Sequence, residues 1–152
     1  MLLQKQPNRA SCSATSFAMC MNVPVARIFE LLGHDGTEQI YPDLDTPQCY
    51  RGFHITELIW VAYRLGYYVL EIPEELGMVR NGVVVPIKLP YTHEHMMRMH
   101  SCVITTSNHA VAWSAEDEKI YDPNGTIYDY PINDAQEFYF VIMINGEKVT
   151  FL

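Results

Sequence analysis

The apolar positions in the first part of the chain recur at helical spacing, and they predict three helices. The first begins near Cys12, where Ser11 can act as its N-cap. Its apolar stripe comprises four residues: Ala14, Phe17, Ala18 and Met21. Pro24 suits the first turn of a second helix that ends at Gly33, and a third helix covers residues 56–65.

After residue 66 the pattern changes to β-branched and aromatic runs that are separated by turn residues. These runs predict six strands: 67–72, 83–89, 102–106, 110–114, 119–121 and 138–144. Asn145-Gly146, between FVIMI and KVTFL, indicates a terminal hairpin. Two polar stretches, 34–52 and 91–100, predict long irregular segments that are candidates for the walls of a cleft. Helices that precede strands are typical of the α+β class.

Composition and charge narrow the kind of protein. A chain of 152 residues with 49% hydrophobic and 18% charged residues is typical of one globular domain, which we expect to cover residues 1–152. Its formal net charge of -8 argues against generic binding of nucleic acids or anionic membranes, and it suggests basic or neutral peptide segments as substrate.

The chain start and the cysteines indicate a compartment. The first residues lack the basic start and apolar run of a signal peptide, and no apolar run approaches the ~20 residues of a membrane span. These absences predict a cytoplasmic protein, and its four cysteines are therefore expected to be reduced: Cys12, Cys20, Cys49 and Cys102.

Three residues could form a nucleophilic site. Cys12 lies in the first turn of a predicted helix, where unpaired N–H groups and the helix dipole favour a thiolate. His109 opens the strand HAVAW and is the candidate base, and Asp122 ends the next strand and could orient the imidazole. Asn124 is an alternative orienter, although a carboxylate stabilises an imidazolium better.

Gln6 precedes Cys12 on the same segment, and its side-chain NH₂ could donate to a developing oxyanion beside the backbone N–H of Cys12. The order Gln6, Cys12, His109 and an Asp-Pro turn resembles the papain-like superfamily of cysteine peptidases. Within it, the motifs CSATSFAM, HAVAW and YDPNG and the segment GFHITELIWVAYRLGYYVLEI are most similar to the bacteriocin-processing, double-glycine-leader peptidase domain and its free-standing relatives.

This resemblance implies a papain-like fold, with N-terminal helices packed against a C-terminal antiparallel sheet. It implies Cys12 as nucleophile, His109 as general base and acid, Asp122 as orienter and Gln6 as oxyanion donor, with no cofactor. The chain departs from the family at Ser13, where the family usually has glycine, and at Ser11, where an acidic residue is common. The length suits a bare domain without a propeptide or a fused transporter.

The functional prediction is a thiol hydrolase that acts on a peptide or protein amide. Glutamine deamidation and acyl transfer would use the same residues, and a catalytically silent protein-binding module is the alternative outside enzymes. A further hypothesis is metal binding by His93, His95 and His100, because His-x-His on a strand puts two rings on one face. The sequence leaves the oligomeric state open.

Overall fold

The computed structural model describes residues 1–38, 40–41, 50–73, 76–87 and 93–144. The helices in this part of the chain are α1 (Cys12–Met21), α2 (Val25–Leu32), α3 (Ile55–Arg64) and the short α4 (His93–Met97). The first three lie where the apolar spacing predicts them, with ends that differ by one residue from the predicted ends. Gly33 ends α2 in the left-handed conformation that the sequence indicates (φ 76°).

The strands follow mainly in the second half of the chain. They are β1 (Ile40–Tyr41), β2 (Tyr50–Arg51), β3 (Tyr67–Pro73), β4 (Leu76–Arg80), β5 (Val83–Ile87), β6 (Cys102–Thr105), β7 (Ala110–Ser114), β8 (Lys119–Asp122), β9 (Thr126–Tyr128) and β10 (Glu137–Met143). Six of them form an antiparallel sheet in the order β3-β10-β6-β7-β8-β9, and β1-β2 and β4-β5 form two-stranded ribbons. The predicted α+β class, with helices first and an antiparallel sheet afterwards, is confirmed.

Helix α1 occupies the centre of the fold. The predicted apolar stripe is buried, but every other side chain from Ala14 to Met21 is buried as well. The reason is that α1 packs against β6 and β7 and against α2 and α3. The N-terminal segment contacts it as well, since the Gln4 N–H donates to the sulfur of Met19 at 3.2 Å. Gln4 fastens this segment, since its Nε2 donates to the Val23 carbonyl at 2.7 Å and its Oε1 accepts from the Val25 N–H at 2.9 Å.

The two faces of the sheet carry separate apolar clusters. On β7, Ala110 and Ala112 face α1, whereas Val111 and Trp113 face the opposite side, as the period of two in a strand requires. The opposite side is covered in part by α4, where the Met97 carbonyl accepts a hydrogen bond from Trp113 Nε1 at 2.8 Å. A residue at the end of β7 or β8 therefore projects to one face of the sheet or the other, according to its position in the strand.

Several local predictions are wrong. Ser11 lies at the N-cap position, but its side chain makes no capping bond and donates instead to the Asn8 carbonyl at 3.1 Å. Pro24 precedes α2 as its N-cap instead of lying in the first turn. Residues 93–97 form a helix, whereas the metal hypothesis placed His93 and His95 on a strand.

Four strands are missing from the prediction: β1, β2, β4 and β9. The short strands β1 and β2 lie in the stretch 34–52, which the sequence predicts to be irregular, whereas β4 and β9 each have a signal in the sequence. Asn81 and Gly82 both have positive φ (53° and 75°), as in the tight turns that favour Asn-Gly, and they join β4 to β5. The turn that begins at Asp122 is followed by Thr-Ile-Tyr, which forms the edge strand β9. The predicted hairpin at Asn145-Gly146 and Cys49 lie outside the described residues.

Gly36 should be sensitive to substitution, and Gly33 is its matched control. Both have positive φ, but a Cβ at Gly36 would lie 2.7 Å from Phe53 Cε2, whereas a Cβ at Gly33 would meet nothing within 4 Å. Phe53 cannot move freely, because it stacks on Phe29 and on His34, with ring centroids 5.7 Å and 4.8 Å apart.

We expect Gly33→Ala to lower the free energy of unfolding by about 1 kcal/mol, through backbone strain alone. Gly36→Ala should lower it by about 2–4 kcal/mol, since the steric clash adds to the strain. Urea denaturation of the two variants measures the difference. Equal losses would show that the contact between Gly36 and Phe53 does not constrain this segment.

Candidate active site

Cys12 is the first residue of α1, and the turn before it is closely tied. Ser11 is fully buried, and its carbonyl accepts from both the backbone N–H and the hydroxyl of Thr15, at 2.9 Å and 2.7 Å. The Cys12 side chain itself is partly exposed. The backbone N–H groups of Ser13 and Ala110 lie near its sulfur and help to lower the pKa of the thiol. The thiol therefore lies where two fixed dipoles and the start of a helix favour negative charge.

His109 comes directly before β7, the strand that packs along α1, and this packing brings the imidazole to the sulfur of Cys12. A tight turn fixes the backbone of the histidine. The Thr106 N–H donates to the His109 carbonyl at 2.8 Å, and the His109 N–H donates to Thr106 Oγ1 at 3.1 Å. The side chain is about one-third exposed (31%), so a reactant can reach it.

Asp122 is the last residue of β8 and its carboxylate is buried. Tyr121 pairs with Ala112 across β7 and β8, and continuing this register by one residue places Asp122 opposite Val111, diagonal to His109. His109 Nε2 lies 2.8 Å from Asp122 Oδ1 and donates to it. Since Nε2 is engaged by the carboxylate, Nδ1 is the ring nitrogen left for the thiol.

The carboxylate of Asp122 has two further donors. The backbone N–H of Asn124 donates to Oδ1 at 2.9 Å, and the hydroxyl of Tyr128 donates to Oδ2 at 2.9 Å. Tyr128 was not singled out as a site residue by the sequence, although its place in β9 follows from the turn before it. The alternative of Asn124 as orienter is wrong, because its side-chain oxygen accepts from Thr126 and the histidine faces Asp122.

The thiol and the imidazole shift each other's protonation. Burial alone would raise the pKa of Cys12, but the hydrogen bond and the positive charge of His109 outweigh it, so the pKa lies below its ordinary value. The pKa of His109 rises to about 9, because its hydrogen bonds to Cys12 and Asp122 outweigh its partial burial. Relative to the isolated side chains, both shifts favour the thiolate–imidazolium pair over the neutral pair.

Gln6 lies beside these residues, and its backbone N–H donates to the Pro123 carbonyl at 2.8 Å. Its side-chain Nε2 donates to the Asn8 carbonyl at 2.9 Å, which leaves the second hydrogen of the amide for another acceptor. Its Oε1 is buried and has no hydrogen-bond partner among the described residues. A buried acceptor without a partner lowers the stability by about 1–3 kcal/mol, so stability alone does not explain the position of the Gln6 side chain.

Two depressions meet at His109. The groove on the side of α1 is lined by Lys5, Gln6, Asn8, Arg9, His109, Asp122 and Asn124. The hollow on the opposite face is lined by Thr106, His109, Val111, Tyr128, Pro131, Ile132 and Asn133. The prediction that the stretch 91–100 forms a wall of the cleft is therefore wrong for residues 93–100, which line neither depression. Of the stretch 34–52, Asp35 contacts the groove through its carbonyl, which accepts from Asn8 Nδ2 at 3.0 Å.

The structure offers little for the metal hypothesis. Within the described ranges, no three histidine, cysteine, aspartate or glutamate side chains converge as a metal site. His93 stacks on Phe138 instead, with ring centroids 4.3 Å apart. Cys20 and Cys102 are buried free thiols whose pKa is raised by that burial, in contrast to Cys12.

In comparisons with known proteins, no family model, curated protein or solved structure matches the chain. Among the helices of the described residues, none has the length and apolar character to cross a membrane. The interpretation of the site therefore depends on its geometry and on the sequence motifs.

Proposed function

We propose that this protein is a papain-like cysteine hydrolase that acts on an amide bond of a peptide or protein. One observation carries the proposal: the imidazole of His109 lies against the thiol of Cys12 at the start of α1, and its Nε2 lies 2.8 Å from the buried carboxylate of Asp122. A nucleophile, a base and a group that orients the base are what covalent catalysis by a thiol requires.

Each residue has one task in the proposed reaction. The thiolate of Cys12 attacks the amide carbonyl and forms a carbon–sulfur bond, and the imidazolium of His109 protonates the departing amine. A thioester remains on the enzyme. His109, now neutral, takes a proton from water, and the resulting hydroxide attacks the thioester, which releases a carboxylic acid and restores the thiolate.

Two donors are assigned to the oxyanion that forms in both steps: the backbone N–H of Cys12 and the side-chain NH₂ of Gln6. The position of Gln6 in the groove beside His109 and the second hydrogen of its amide support this assignment. Asp122 holds the imidazole in place and stabilises its positive charge, and Tyr128 and Asn124 hold Asp122.

The same residues would hydrolyse the side-chain amide of a glutamine, or transfer the acyl group to an amine instead of water. The nature of the substrate distinguishes these reactions, because the acyl-enzyme is common to all of them. The free thiols at Cys12, Cys20 and Cys102 fit a reducing compartment, and we propose the cytoplasm as the location.

The pH dependence of Cys12 alkylation tests the proposal. Below its pKa an ordinary thiol of pKa ≈ 8.5 loses about tenfold in rate per pH unit, so its rate at pH 6 is roughly a hundredfold below that at pH 8. Because the pKa of Cys12 is lowered, its thiolate persists to lower pH. Because the pKa of His109 is raised to about 9, the imidazolium persists up to that pH.

We therefore expect the rate at which iodoacetamide modifies Cys12 to fall between pH 8 and pH 6 by much less than the roughly hundredfold of an ordinary thiol. Mass spectrometry of peptides from timed samples gives the rate for each cysteine. Cys20 and Cys102 should stay unmodified in the folded protein. A Cys12 rate that falls with pH as an ordinary thiol does would favour the catalytically silent binding module instead.

A further inference from the structure

The groove beside the catalytic residues carries positive charge. Lys5 and Arg9 line it together with Gln6 and the His109–Asp122 pair. Both cations are exposed, and Asn8 and Asn124 line the same groove. A substrate that reaches His109 through this groove would lie close to these two cations.

Neither cation has an acidic partner in the part of the chain that the structure describes. Elsewhere in that part, Arg27 pairs with Glu30 at 2.8 Å and Lys119 pairs with Asp129. The contrast is informative because acidic residues outnumber basic ones by 18 to 10 in the whole sequence. Two unpaired cations in one groove of an acidic protein provide a local field opposite in sign to the net charge.

Within the described ranges, the carboxylates near the groove form no ion pair with Lys5 or Arg9. Asp122 is buried and is engaged by His109, Asn124 and Tyr128. Asp35 contacts Asn8 only through its backbone carbonyl, and its carboxylate accepts instead from the backbone N–H and the hydroxyl of Thr37.

The aliphatic part of Lys5 lies beside the turn after Asp122, since its Cδ is 3.9 Å from the position that a Cβ on Gly125 would occupy.

We propose that Lys5 and Arg9 select a substrate with a carboxylate close to the reacting amide, such as an Asp or Glu side chain or a chain terminus. This inference depends on the proposed function and specifies its substrate class. It replaces the expectation, drawn from the net charge alone, of a basic or neutral peptide. Charge in the groove acts at short range and decides recognition, whereas the remaining surface charge is largely screened by salt.

Two alkylating reagents of nearly equal size provide the test. Iodoacetate carries a carboxylate next to its reactive carbon, and iodoacetamide carries a neutral amide there. In both cases the Cys12 thiolate displaces iodide and forms a carbon–sulfur bond. The ratio of their rate constants at Cys12 therefore reports how strongly the groove favours an anionic reagent. A change in the reactivity of the thiol affects both rate constants equally and cancels in the ratio.

In the double variant Lys5→Gln/Arg9→Gln we expect this ratio to fall about fivefold at low ionic strength, and less in about 0.5 M salt. The matched control is Arg27→Gln/Arg98→Gln, which removes the same charge from α2 and from the segment after α4, and its ratio should equal that of the native protein. An unchanged ratio in the Lys5/Arg9 variant would overturn the proposed substrate class. If iodoacetamide does not modify Cys12 selectively in the native protein, the proposed function falls, and this inference with it.

Discussion

Replacement of Cys12 by alanine should reduce hydrolysis of p-nitrophenyl acetate at least about a thousandfold, to near the rate in buffer. The activated ester suits the test because its small acyl group does not depend on the specificity of the groove. In the native protein the thiolate takes the acetyl group and releases p-nitrophenolate, and water then cleaves the thioester. Alanine provides no nucleophile, so the acyl-enzyme cannot form.

The control for Cys12→Ala is Cys20→Ala, which removes a buried thiol from the same helix. It should retain the ester hydrolysis of the native protein after correction for any folded fraction lost. Cys12→Ser keeps the shape of the side chain but replaces the thiolate by a hydroxyl of much higher pKa, and it should behave as the alanine variant does. Undiminished hydrolysis by Cys12→Ala, measured as release of p-nitrophenolate, would rule out Cys12 as the nucleophile.

The second large effect concerns His109. In His109→Ala, alkylation of Cys12 by iodoacetamide at pH 6 should fall roughly a hundredfold. The hydrogen bond and the positive charge that lower the pKa of Cys12 both come from His109, and without them the burial of the thiol raises its pKa. As the pH rises further, the difference between variant and native protein should narrow, since the Cys12 thiol of the variant then ionises as well.

A histidine outside the site provides the comparison. His95→Ala removes an exposed imidazole from α4, and its Cys12 should react as in the native protein. Circular dichroism should show that both variants are folded. If Cys12 in His109→Ala reacts at pH 6 as fast as in the native protein, the pair does not control the thiol, and the helix start alone must account for its reactivity.

Much of the fold follows from local patterns in the sequence. The helical spacing of apolar residues and Gly33 determine α1, α2 and α3 to within one residue, because these elements depend on short-range geometry. The complete burial of α1 was not predictable in this way. Thr15, Ser16 and Cys20 interrupt the apolar pattern, and they are buried because α1 is packed against strands of the sheet and against both α2 and α3.

The candidate site shows the same division. A helix start and two strand ends in the sequence indicate Cys12, His109 and Asp122. The structure brings these residues together because α1 packs along β7. Tyr128 was missed, since its role depends on the pairing of β9 with β8, which no single segment encodes. The charge of the groove was also hidden, because net charge says nothing about which residues share a surface.

The backbone hydrogen bond from Gln6 to Pro123 has a thermodynamic consequence. It joins the segment that carries Gln6 to the turn that follows Asp122, so the two rims of the groove are tied to each other by the main chain. The conformational entropy of bringing the rims together is therefore lost on folding and not on binding. A preorganised receptor of this kind leaves the ordering penalty to the substrate, and it should bind rigid, pre-shaped segments more tightly than flexible ones of the same composition.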